Sequence, residues 1–488
     1  MGVTIKYLCA FGNHGGSRLI PGRVLDHIYS NQGRYIEELK AFLKIPSISS
    51  PEHAGDVRKA AEWILDRTKR LGFSGRIFET SENPVVFAEI GQHDDAPTLM
   101  FYSHYDVQPP GDLENWKTPP FYPDVRDGAI YARGAADDKG QLFCTLATIG
   151  SVMAIEGKLP LNVKLLFEGG EEMGSPGLEK FIREHIEQLK ADAVLITDAP
   201  KYTRDIPAIY YGLRGGVAFQ IEVRGPSTDI HSGMFGGAVV NPINALTRIL
   251  GDIKDHRGKI RIPGFYDHVR DLEEWERKEM ASIPFDGETM KKYLGINEFA
   301  TEDGYTPMES MTARPAFDVN GIAGGYYEKG MLWSIPDKAG AYLSFLLVPD
   351  QDPEDVARHF EEYVHSRAPE EAVVKLSKVV SFDPVIVPRS SKVIRVAEKA
   401  IEYGFGRKPA MIRSGGGIGV AALIRKMLST ENIVITGWND PEDNEHAPNE
   451  HFSLENFRKG MITTAAFMYG LADSKKRETT ISVANDTT

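Results

Sequence analysis

The chain has 488 residues, 42% of them hydrophobic and 10% aromatic, which is enough to bury more than one core, and we expect roughly two domains. With 69 acidic against 56 basic residues the net charge is -13, which argues against nucleic acid or an anionic membrane as the main partner. Cationic or neutral small substrates remain open.

The two cysteines, Cys9 and Cys144, are far apart, so the sequence predicts neither a disulfide framework nor a thiolate zinc site. Any metal would need histidine and carboxylate ligands. The opening residues lack a sustained apolar segment, and no apolar run reaches the ~18–20 residues of a membrane span. We therefore expect a cytoplasmic protein without a membrane partner. The polar tail from Asp473 to Thr488 is expected to fray.

In the first two hundred residues, short apolar runs alternate with helix-length segments. The runs TLMFYS, NVKLLFE and ADAVLIT predict buried strands, and the alternation predicts a parallel or mixed sheet covered by helices. The segment GSPGLEKFIREHIEQLK predicts a helix in which Ser175 is the N-cap and Pro176 lies in the first turn.

From about Gly212 the pattern changes to a half-exposed strand, GGVAFQIEVRG, followed by the helix NPINALTRILGDIK. A second pair, AGAYLSFLLVP and DPEDVARHFEEYVHS, repeats this order. Two such pairs predict a ferredoxin-like unit of antiparallel sheet and two helices. The polar stretch 255–315 looks like an insertion of helices and loops within that unit.

Beyond Ser381 the helix SKVIRVAEKAIEYGFG and the buried strand NIVITGW return to the first pattern. The simplest organisation is one α/β domain interrupted by a smaller α+β domain. The expected boundaries are 1–212 and 380–488 for the two parts of the large domain, the second with the polar tail, and 213–379 for the small domain.

Potential metal ligands follow the predicted strands. They are, in chain order, His104 and Asp106 after TLMFYS, Glu171 and Glu172 after NVKLLFE, Asp198 after ADAVLIT, and His446 in the loop after NIVITGW. Sites in open α/β sheets form outside the carboxyl ends of the strands, so these groups can converge. A Gly-flanked turn, ARGAADDKG, adds Asp137 and Asp138 ahead of a helix.

Each of these pairs has an ordinary alternative when taken alone: His104 can be a satisfied structural histidine, and the Asp-Asp and Glu-Glu pairs can be solvated turns. Side chains two apart on a strand point the same way, so Asp106 can accept the second ring N–H of His104. Together, two histidines and three carboxylates can hold two divalent ions, with one carboxylate bridging.

An adjacent glutamate that binds no metal can take a proton from the water between the ions. Consecutive residues in an extended chain point in opposite directions, which would let Glu171 and Glu172 divide these two tasks.

The ordered segments SHYDVQP, ARGAADDKG, EGGEEMGS, TDA, DIHSGMFGG and HAPNE resemble those of the co-catalytic zinc peptidase family. That family contains carnosinase-like dipeptidases, aminoacylases, succinyl-diaminopimelate desuccinylase and glutamate carboxypeptidase. The resemblance covers the chain from about Arg34 to Ala472. It implies a zinc-peptidase-like catalytic domain, formed by 1–212 and 380–488, and a ferredoxin-like lid and dimerisation domain, 213–379.

The resemblance also implies a role for each matching residue. One zinc would be held by His104, Asp137 and Asp198, and the second by Glu172 and His446, with Asp137 bridging. Glu171 would be the general base that takes a proton from water and delivers it to the leaving amine.

Three further roles follow from the resemblance: Asp106 would orient His104, and Asp138 would follow Asp137 through a cis peptide. His231, otherwise an ordinary loop histidine, would reach into the active site of a partner subunit and stabilise the oxyanion. A homodimer that hydrolyses a small peptide or amide is therefore expected.

The chain departs from the dipeptidase branch of this family in its small domain. That branch has Lys-Thr-Val-Ile-Pro and Arg-Leu-Val-Pro segments, whose Thr and Arg help to bind the free carboxylate of the substrate. Here the segments are LWSIP and LLVP, which place Trp333 and Leu346 at those two positions. The family segment Arg-Glu-Gly-Gly-Ser-Ile-Pro becomes RSGGGIG, with Ser414 instead of Glu beside Gly415 and Gly416.

Leu cannot supply the bidentate grip of Arg on a carboxylate, so we expect a preference for a less charged or more apolar amide than a free dipeptide. In the alternative, Arg413 or Arg214 binds the carboxylate instead. A deacylase of N-acyl amino acids or another amidase is the second candidate, and a catalytically silent binding homologue is a third. Zinc is the expected metal, and Mn or Co fits the same ligands.

Overall fold

The computed structural model describes residues 19–91, 93 and 95–485, with only the backbone of 476–485. Cys9 and the opening residues 1–18 therefore lie outside the described part. Cys144, the other cysteine, is buried with a free thiol. Among the described residues, no helix combines the length and apolarity that a membrane span requires.

The strands fall into several small sheets and one large one. They are β1 (Ser74–Phe78), β2 (Val85–Ile90), β3 (Thr98–His104), β4 (Asp124–Arg126), β5 (Ala129–Tyr131), β6 (Asn162–Glu168), β7 (Ala193–Thr197), β8 (Ala208–Leu213), β9 (Gly215–Arg224), β10 (Ile230–His231), β11 (Ala316–Gly324), β12 (Ser334–Ile335), β13 (Lys338–Leu347), β14 (Val373–Phe382), β15 (Val385–Ile386), β16 (Ala410–Arg413), β17 (Ile433–Thr436) and β18 (His451–Ser453).

The helices are interspersed with these strands along the chain. They are α1 (Gly22–Ser30), α2 (Gln32–Leu43), α3 (Ala54–Arg70), α4 (Lys139–Glu156), α5 (Leu178–Glu184), α6 (Ile186–Leu189), α7 (Ser232–Phe235), α8 (Pro242–Gly251), α9 (Glu274–Ser282), α10 (Gly287–Leu294), α11 (Pro307–Thr312), α12 (Pro353–Arg367), α13 (Lys392–Phe405), α14 (Gly419–Met427) and α15 (Leu454–Asn485).

The large sheet has the strand order β1-β2-β6-β3-β7-β17. Strands β6, β3, β7 and β17 are parallel, whereas β1 and β2 are antiparallel additions at one edge. The central strands are buried along nearly their whole length, which explains their continuous runs of Leu, Val, Ile and Phe. The parallel strands all end at one edge of the sheet, and the candidate ligands follow that edge.

The small domain is an antiparallel sheet of order β11-β13-β9-β14 with α8 and α12 packed on one face. This order and the connection βαββαβ are those of a ferredoxin-like fold. The aromatic rings of Phe219 and Phe345 lie 4.9 and 5.0 Å from that of Phe360 on α12. Asn241 and Asp352 cap the two helices with their side chains. The predicted fold class, an α/β domain interrupted by a ferredoxin-like one, is confirmed.

The chain passes between the two sheets at two places. It leaves β8 at Leu213 and enters β9 at Gly215, and it returns between Phe382 and Val385. The two crossings touch, because a Cβ atom on Gly215 would lie only 2.4 Å from the backbone N of Pro384. The buried side chains form separate large clusters on the two sides of these crossings. The division at 212/213 and 379/380 remains a prediction.

Two local expectations were wrong. The helix after β6 begins at Leu178 rather than at Ser175, because Ser175 adopts a positive φ of 54° and its hydroxyl donates instead to Glu168 Oε1 at 2.8 Å. The tail does not fray from Asp473, since α15 continues to Asn485. Residues 486–488 lie outside the described part of the chain.

Candidate active site

The carboxyl edge of the large sheet collects the predicted ligands. His104 is the last residue of β3, Asp198 directly follows β7, and Glu172 lies in the turn after β6. Asp137 precedes α4, and His446 is supplied by the long loop between β17 and β18. Five segments distant in sequence therefore meet at this edge.

Two groups of potential ligand atoms share Asp137: His104, Asp137 and Asp198 form one, and Asp137, Glu172 and His446 form the other. His104 Nε2 lies 2.9 Å from Asp137 Oδ1 and 3.6 Å from Asp198 Oδ1. His446 Nε2 lies 2.7 Å from Asp137 Oδ2 and 3.2 Å from Glu172 Oε2. Each oxygen of Asp137 thus faces a different group.

Asp106 connects the first group to the turn that carries the glutamates. Its backbone O and its Oδ1 lie 3.1 and 3.4 Å from His104 Nδ1, opposite the nitrogen that faces Asp137. Its carboxylate also accepts the backbone N–H of Glu171 at 3.3 Å and of Glu172 at 3.0 Å. The hydroxyl of Ser49 donates to its Oδ2. Asp106 therefore fixes both the ring of His104 and the position of the two glutamates.

We expected Glu171 and Glu172 to lie in an extended segment. They lie instead in a 3₁₀ turn from Glu171 to Met173. Strand β6 ends at Glu168, before the Gly169–Gly170 pair. The two glutamate side chains point in different directions because consecutive residues are rotated relative to each other in a 3₁₀ turn. Glu172 is held by Gln108, whose backbone N and side-chain Nε2 donate to its two oxygens at 3.1 and 2.9 Å. Among the described residues, Glu171 belongs to neither group of potential ligand atoms.

The His446 loop is held in an uncommon conformation. Asn444, His446 and Asn449 all have positive φ values, of 59°, 58° and 63°. Non-Gly residues adopt such values at a cost of about 1–3 kcal/mol and persist where the surroundings fix them. The buried ion pair of Lys201 with Asp440, at 2.7 Å, fixes the start of the loop.

The electrostatics of the cluster favour bound cations. Burial, followed by the nearby carboxylates Asp137 and Glu172, raises the pKa of Asp198 to about 6. Burial also raises the pKa of Glu171 and of Asp138 well above their usual range. Divalent ions among these groups would relieve the repulsion, and histidine with carboxylate is a donor set that zinc accepts.

The histidines show the complementary effect. Burial alone would lower the pKa of His104, but its hydrogen bonds to Asp106, Asp137 and Asp198 raise it well above its usual value. The hydrogen bond with Asp137 raises the pKa of His446 to about 10. The surrounding carboxylates thus favour a positive charge at both rings, and bound metal ions would supply such charge. The residues present therefore fit a metal centre.

The model of peptidase family M20/M25/M40 matches residues 100–469. The chain belongs to this family. It is 30% identical to the Beta-Ala-His dipeptidase of Mus musculus over 92% of this chain and 95% of that one. It is 29% identical to the Cys-Gly metallodipeptidase dug1 of Schizosaccharomyces pombe over 92% and 98% of the two chains.

A solved structure, that of the M20 family metallo-carboxypeptidase Sso-CP2 from Sulfolobus solfataricus, is also similar. It matches with a TM-score of 0.80 and 31% identity over 90% of this chain and 99% of that chain. The predicted family resemblance is therefore confirmed, and the chain is a metal-dependent peptidase.

In this M20 peptidase, three residues predicted to serve the active site lie on or next to strands β10, β12 and β13. His231 is exposed on β10, and its Nδ1 accepts the backbone N–H of Gly233 at 3.0 Å. Trp333 is 65% exposed, next to β12, and its carbonyl accepts the N–H of Ser232 at 3.0 Å. Leu346 is half-buried on β13.

Arg413 and Arg214 were the alternative candidates for binding a substrate carboxylate, because Leu346 occupies the position of the family arginine. Both have partners inside the chain. Arg413 is buried and forms an ion pair with Glu276 of α9, whose carboxylate also accepts the hydroxyl of Tyr211 at 3.1 Å. Arg214 donates to the carbonyl of Ser310, and burial lowers its pKa to about 10.

The glycine-rich segment after Arg413 packs against the inserted segment. Ser414 accepts the N–H of Gly416 through its hydroxyl at 3.1 Å and donates its own N–H to Gly212 O at 2.7 Å. A Cβ atom on Gly415 would lie 2.5 Å from the carbonyl O of Met311, so only glycine fits there.

Sequence reasoning missed three residues that hold the site: Ser49 behind Asp106, Gln108 behind Glu172, and Glu450 behind Asp137. Gln108 and Glu450 lie within the segments SHYDVQP and HAPNE, which also contain the ligands His104 and His446. Their closeness in sequence to these ligands could have indicated a role in the site. Ser49 has no such signal, because its contact with Asp106 joins residues 57 positions apart.

Proposed function

We propose that this peptidase hydrolyses the amide bond of a small peptide or peptide-like substrate with two divalent metal ions, first of all Zn, and with Glu171 as general base. The observation that carries the proposal is that two ligand groups share Asp137 and lie beside Glu171. The names of the relatives, which include dipeptidases that act on Beta-Ala-His and on Cys-Gly, support a dipeptide-sized substrate.

His104 and Asp198 would hold one ion, Glu172 and His446 the other, and Asp137 both. Ions at these positions would supply Lewis-acid chemistry, acidifying water and polarising the amide carbonyl. Glu171 would take a proton from the attacking water and later deliver it to the leaving amine. Asp106 positions the general base and one ligand, because it contacts the N–H of Glu171 and the ring of His104.

The first test is Glu171→Gln, which keeps the shape of the side chain but removes its capacity to accept the proton. We expect kcat to fall by at least ~10²-fold, as for the loss of a general base, while metal content by mass spectrometry stays at the wild-type level. Glu179→Gln, an exposed change on α5, is the control. Near-normal turnover by the metal-replete variant would remove Glu171 from the mechanism.

We further propose that the substrate is less charged or more apolar than a free dipeptide. Trp333 and Leu346 offer apolar surface, and Arg413 and Arg214 are buried with partners inside the chain. This supports a substrate without a free carboxylate. An amidase is therefore a second candidate function, and so is an N-acyl amino acid deacylase, whose substrate keeps the carboxylate but lacks the charged amine.

The specificity test compares three substrates with one scissile bond: a free dipeptide, its C-terminal amide and an N-acyl analogue. We expect kcat/KM to favour the C-terminal amide, because an apolar pocket does not compensate the desolvation of a carboxylate. The N-acyl analogue keeps that carboxylate and lacks the charged amine, so a preference for it over the free dipeptide would favour the deacylase. A strong preference for the free carboxylate would reject this specificity. Metal-replete protein with no turnover on any of the three would instead favour a silent binding homologue.

We also propose a homodimer in which 213–379 serves as lid and dimerisation domain, and 1–212 with 380–488 as the catalytic domain. Large apolar side chains are exposed in the segments next to the β10–β12 pair, among them Met234 at 75% and Met331 at 76% exposure. Exposed apolar patches often mark interaction sites. This exposure supports contact of these segments with a second copy.

A further inference from the structure

A buried carboxylate outside the proposed ligand set joins two of the ligand segments. Glu450 lies four positions after His446 in the loop between β17 and β18, and it is completely buried. Its side chain points across to the turn that carries Asp137. That turn, 133–138, connects β5 to α4.

Both oxygens of the Glu450 carboxylate are fully used. Oε2 accepts from Arg133 Nη1 at 2.7 Å and from the backbone N–H of Gly134 at 2.9 Å. Oε1 accepts the backbone N–H groups of Ala136 at 2.8 Å and Asp137 at 3.1 Å. One side chain thus binds four residues of the Asp137 turn, including Asp137 itself through its backbone amide.

Only a carboxylate can do this at residue 450. Four donors converge on two oxygens, and an amide side chain would present N–H groups to two of these donors. The negative charge is matched by Arg133, which is also buried and donates its other terminal nitrogen to the carbonyl of Pro109 at 3.2 Å. A buried charge with such a partner and full hydrogen bonding is stable in place.

The loop itself is anchored at its other side. The Asn449 side chain accepts the N–H of Lys117 and donates to the carbonyl of Asn115, both at 2.8 Å. The carbonyl of Glu450 accepts the N–H of Ala132 at 3.1 Å. Residues 449 and 450 therefore connect the His446 loop rigidly to the segment that leads into Asp137.

We infer that Glu450 is a positioning residue that couples the Asp137 turn to the His446 loop, so that the two metal positions form together. This rests on the proposed function, in which Asp137 serves both ions and His446 one of them. Displacing the Glu450 carboxylate would move Asp137 relative to His104 and His446 at once, and would weaken both positions rather than one.

The variants are Glu450→Gln, which keeps the size of the side chain, and Glu450→Asp, which keeps the charge for Arg133 but shortens the reach to the three N–H groups. Glu442→Gln, an exposed change in the same loop, is the control. Affinities for Zn²⁺ are measured against a chromogenic chelator, and the absorption spectrum of bound Co²⁺ reports ligand geometry. We expect ~10–100-fold weaker binding of both ions and a changed Co²⁺ spectrum, as for residues that orient metal ligands.

Hydrogen exchange on the wild-type chain provides a test that does not require a variant to fold. Peptides covering 132–140 and 443–452 are followed by mass spectrometry while Zn²⁺ is added to the metal-free protein. We expect both to gain protection with one common midpoint. Separate midpoints, or a folded Glu450 variant that binds both ions with wild-type affinity and spectrum, would overturn the inference. A wild-type chain that binds no metal would instead refute the proposed function.

Discussion

Asp137 has the central place among the residues of the site. Its two oxygens lie 2.9 Å from the ring nitrogen of His104 and 2.7 Å from that of His446. The atoms that would bind metal therefore already face one another. Burial works against a charge at Asp137, but the hydrogen bonds to both histidines hold its pKa below its usual range. The site is therefore organised around one ionised carboxylate between two rings.

Gln108 provides a test of how the second ligand group is oriented. Gln108→Leu removes the side-chain donor to Glu172 Oε2 while keeping the size of the residue. We expect binding of one of the two ions to weaken by ~10-fold or more, because Glu172 loses a partner that fixes its direction. Isothermal titration with Zn²⁺ measures this.

The control for Gln108 is Gln220→Leu, an exposed change on β9 of the lid sheet. It should leave both binding events unchanged. Equal affinities for the Gln108 and Gln220 variants would show that the contact at Glu172 Oε2 does not organise the ligand.

His104, Glu172 and Asp198 converge because they lie at or just after the ends of parallel strands, and strand ends are marked in sequence by the change from apolar to polar residues. Asp137 comes instead from the turn between β5 and α4. The direction of each side chain was less predictable. Glu171 and Glu172 separate through a 3₁₀ turn that depends on Asp106 accepting their N–H groups, a contact over 65 positions. The local sequence pattern around the two glutamates does not indicate a partner so distant in the chain.

At the scale of elements, the inserted segment connects the lid to the catalytic domain. Helix α9 places Glu276 against Arg413 of β16, and the carbonyl of Ser310 on α11 accepts from Arg214 beside β8. Arg389 forms an ion pair with Glu279, also on α9. The segment belongs to the lid by sequence, but its buried charges are shared with the catalytic domain.

Glu276→Gln should therefore destabilise the protein strongly. It removes the charge that balances Arg413, where both side chains are only 3% exposed. Breaking a buried pair at one partner costs about 3–5 kcal/mol, because the remaining charge is buried without compensation. The loss is measured as a shift in the guanidinium unfolding curve.

Glu354→Gln is the matched control for Glu276. It breaks an ion pair with Lys378 whose side chains are 68% and 38% exposed, so it should cost about 0–1 kcal/mol. Equal shifts for the two variants would contradict a stabilising role for the buried pair at α9.

Element types were predictable where periodicity was clear, as in the βαββαβ order of the lid. Boundaries depended on tertiary contacts. Ser175 has the residue type of an N-cap, but its hydroxyl donates to the buried Glu168, and α5 begins three residues later. Nothing in the sequence of 255–315 indicated that its charges pair with Arg413 and Arg389.

At the scale of the whole molecule, the candidate ligand cluster and His231 are carried by different sheets. The ligand cluster follows the large sheet, whereas His231 lies on β10, which pairs with β12 next to the exposed Trp333. In the proposed dimer, His231 would contribute to the active site of the second copy. The proposed dimer would thus divide one active site between two subunits.

Subunit mixing tests that arrangement directly. Glu171→Gln and His231→Ala should each be nearly inactive as homodimers, which light scattering after size exclusion identifies. In a mixed dimer, the subunit with intact Glu171 receives the intact His231 of its partner, so one of its two sites is complete. Random exchange at equal concentration should thus restore about a quarter of wild-type activity, as closed two-fold symmetry requires. No recovery in a mixture verified to contain mixed dimers would place His231 outside the partner's site, and a fully active monomer would reject the dimer itself.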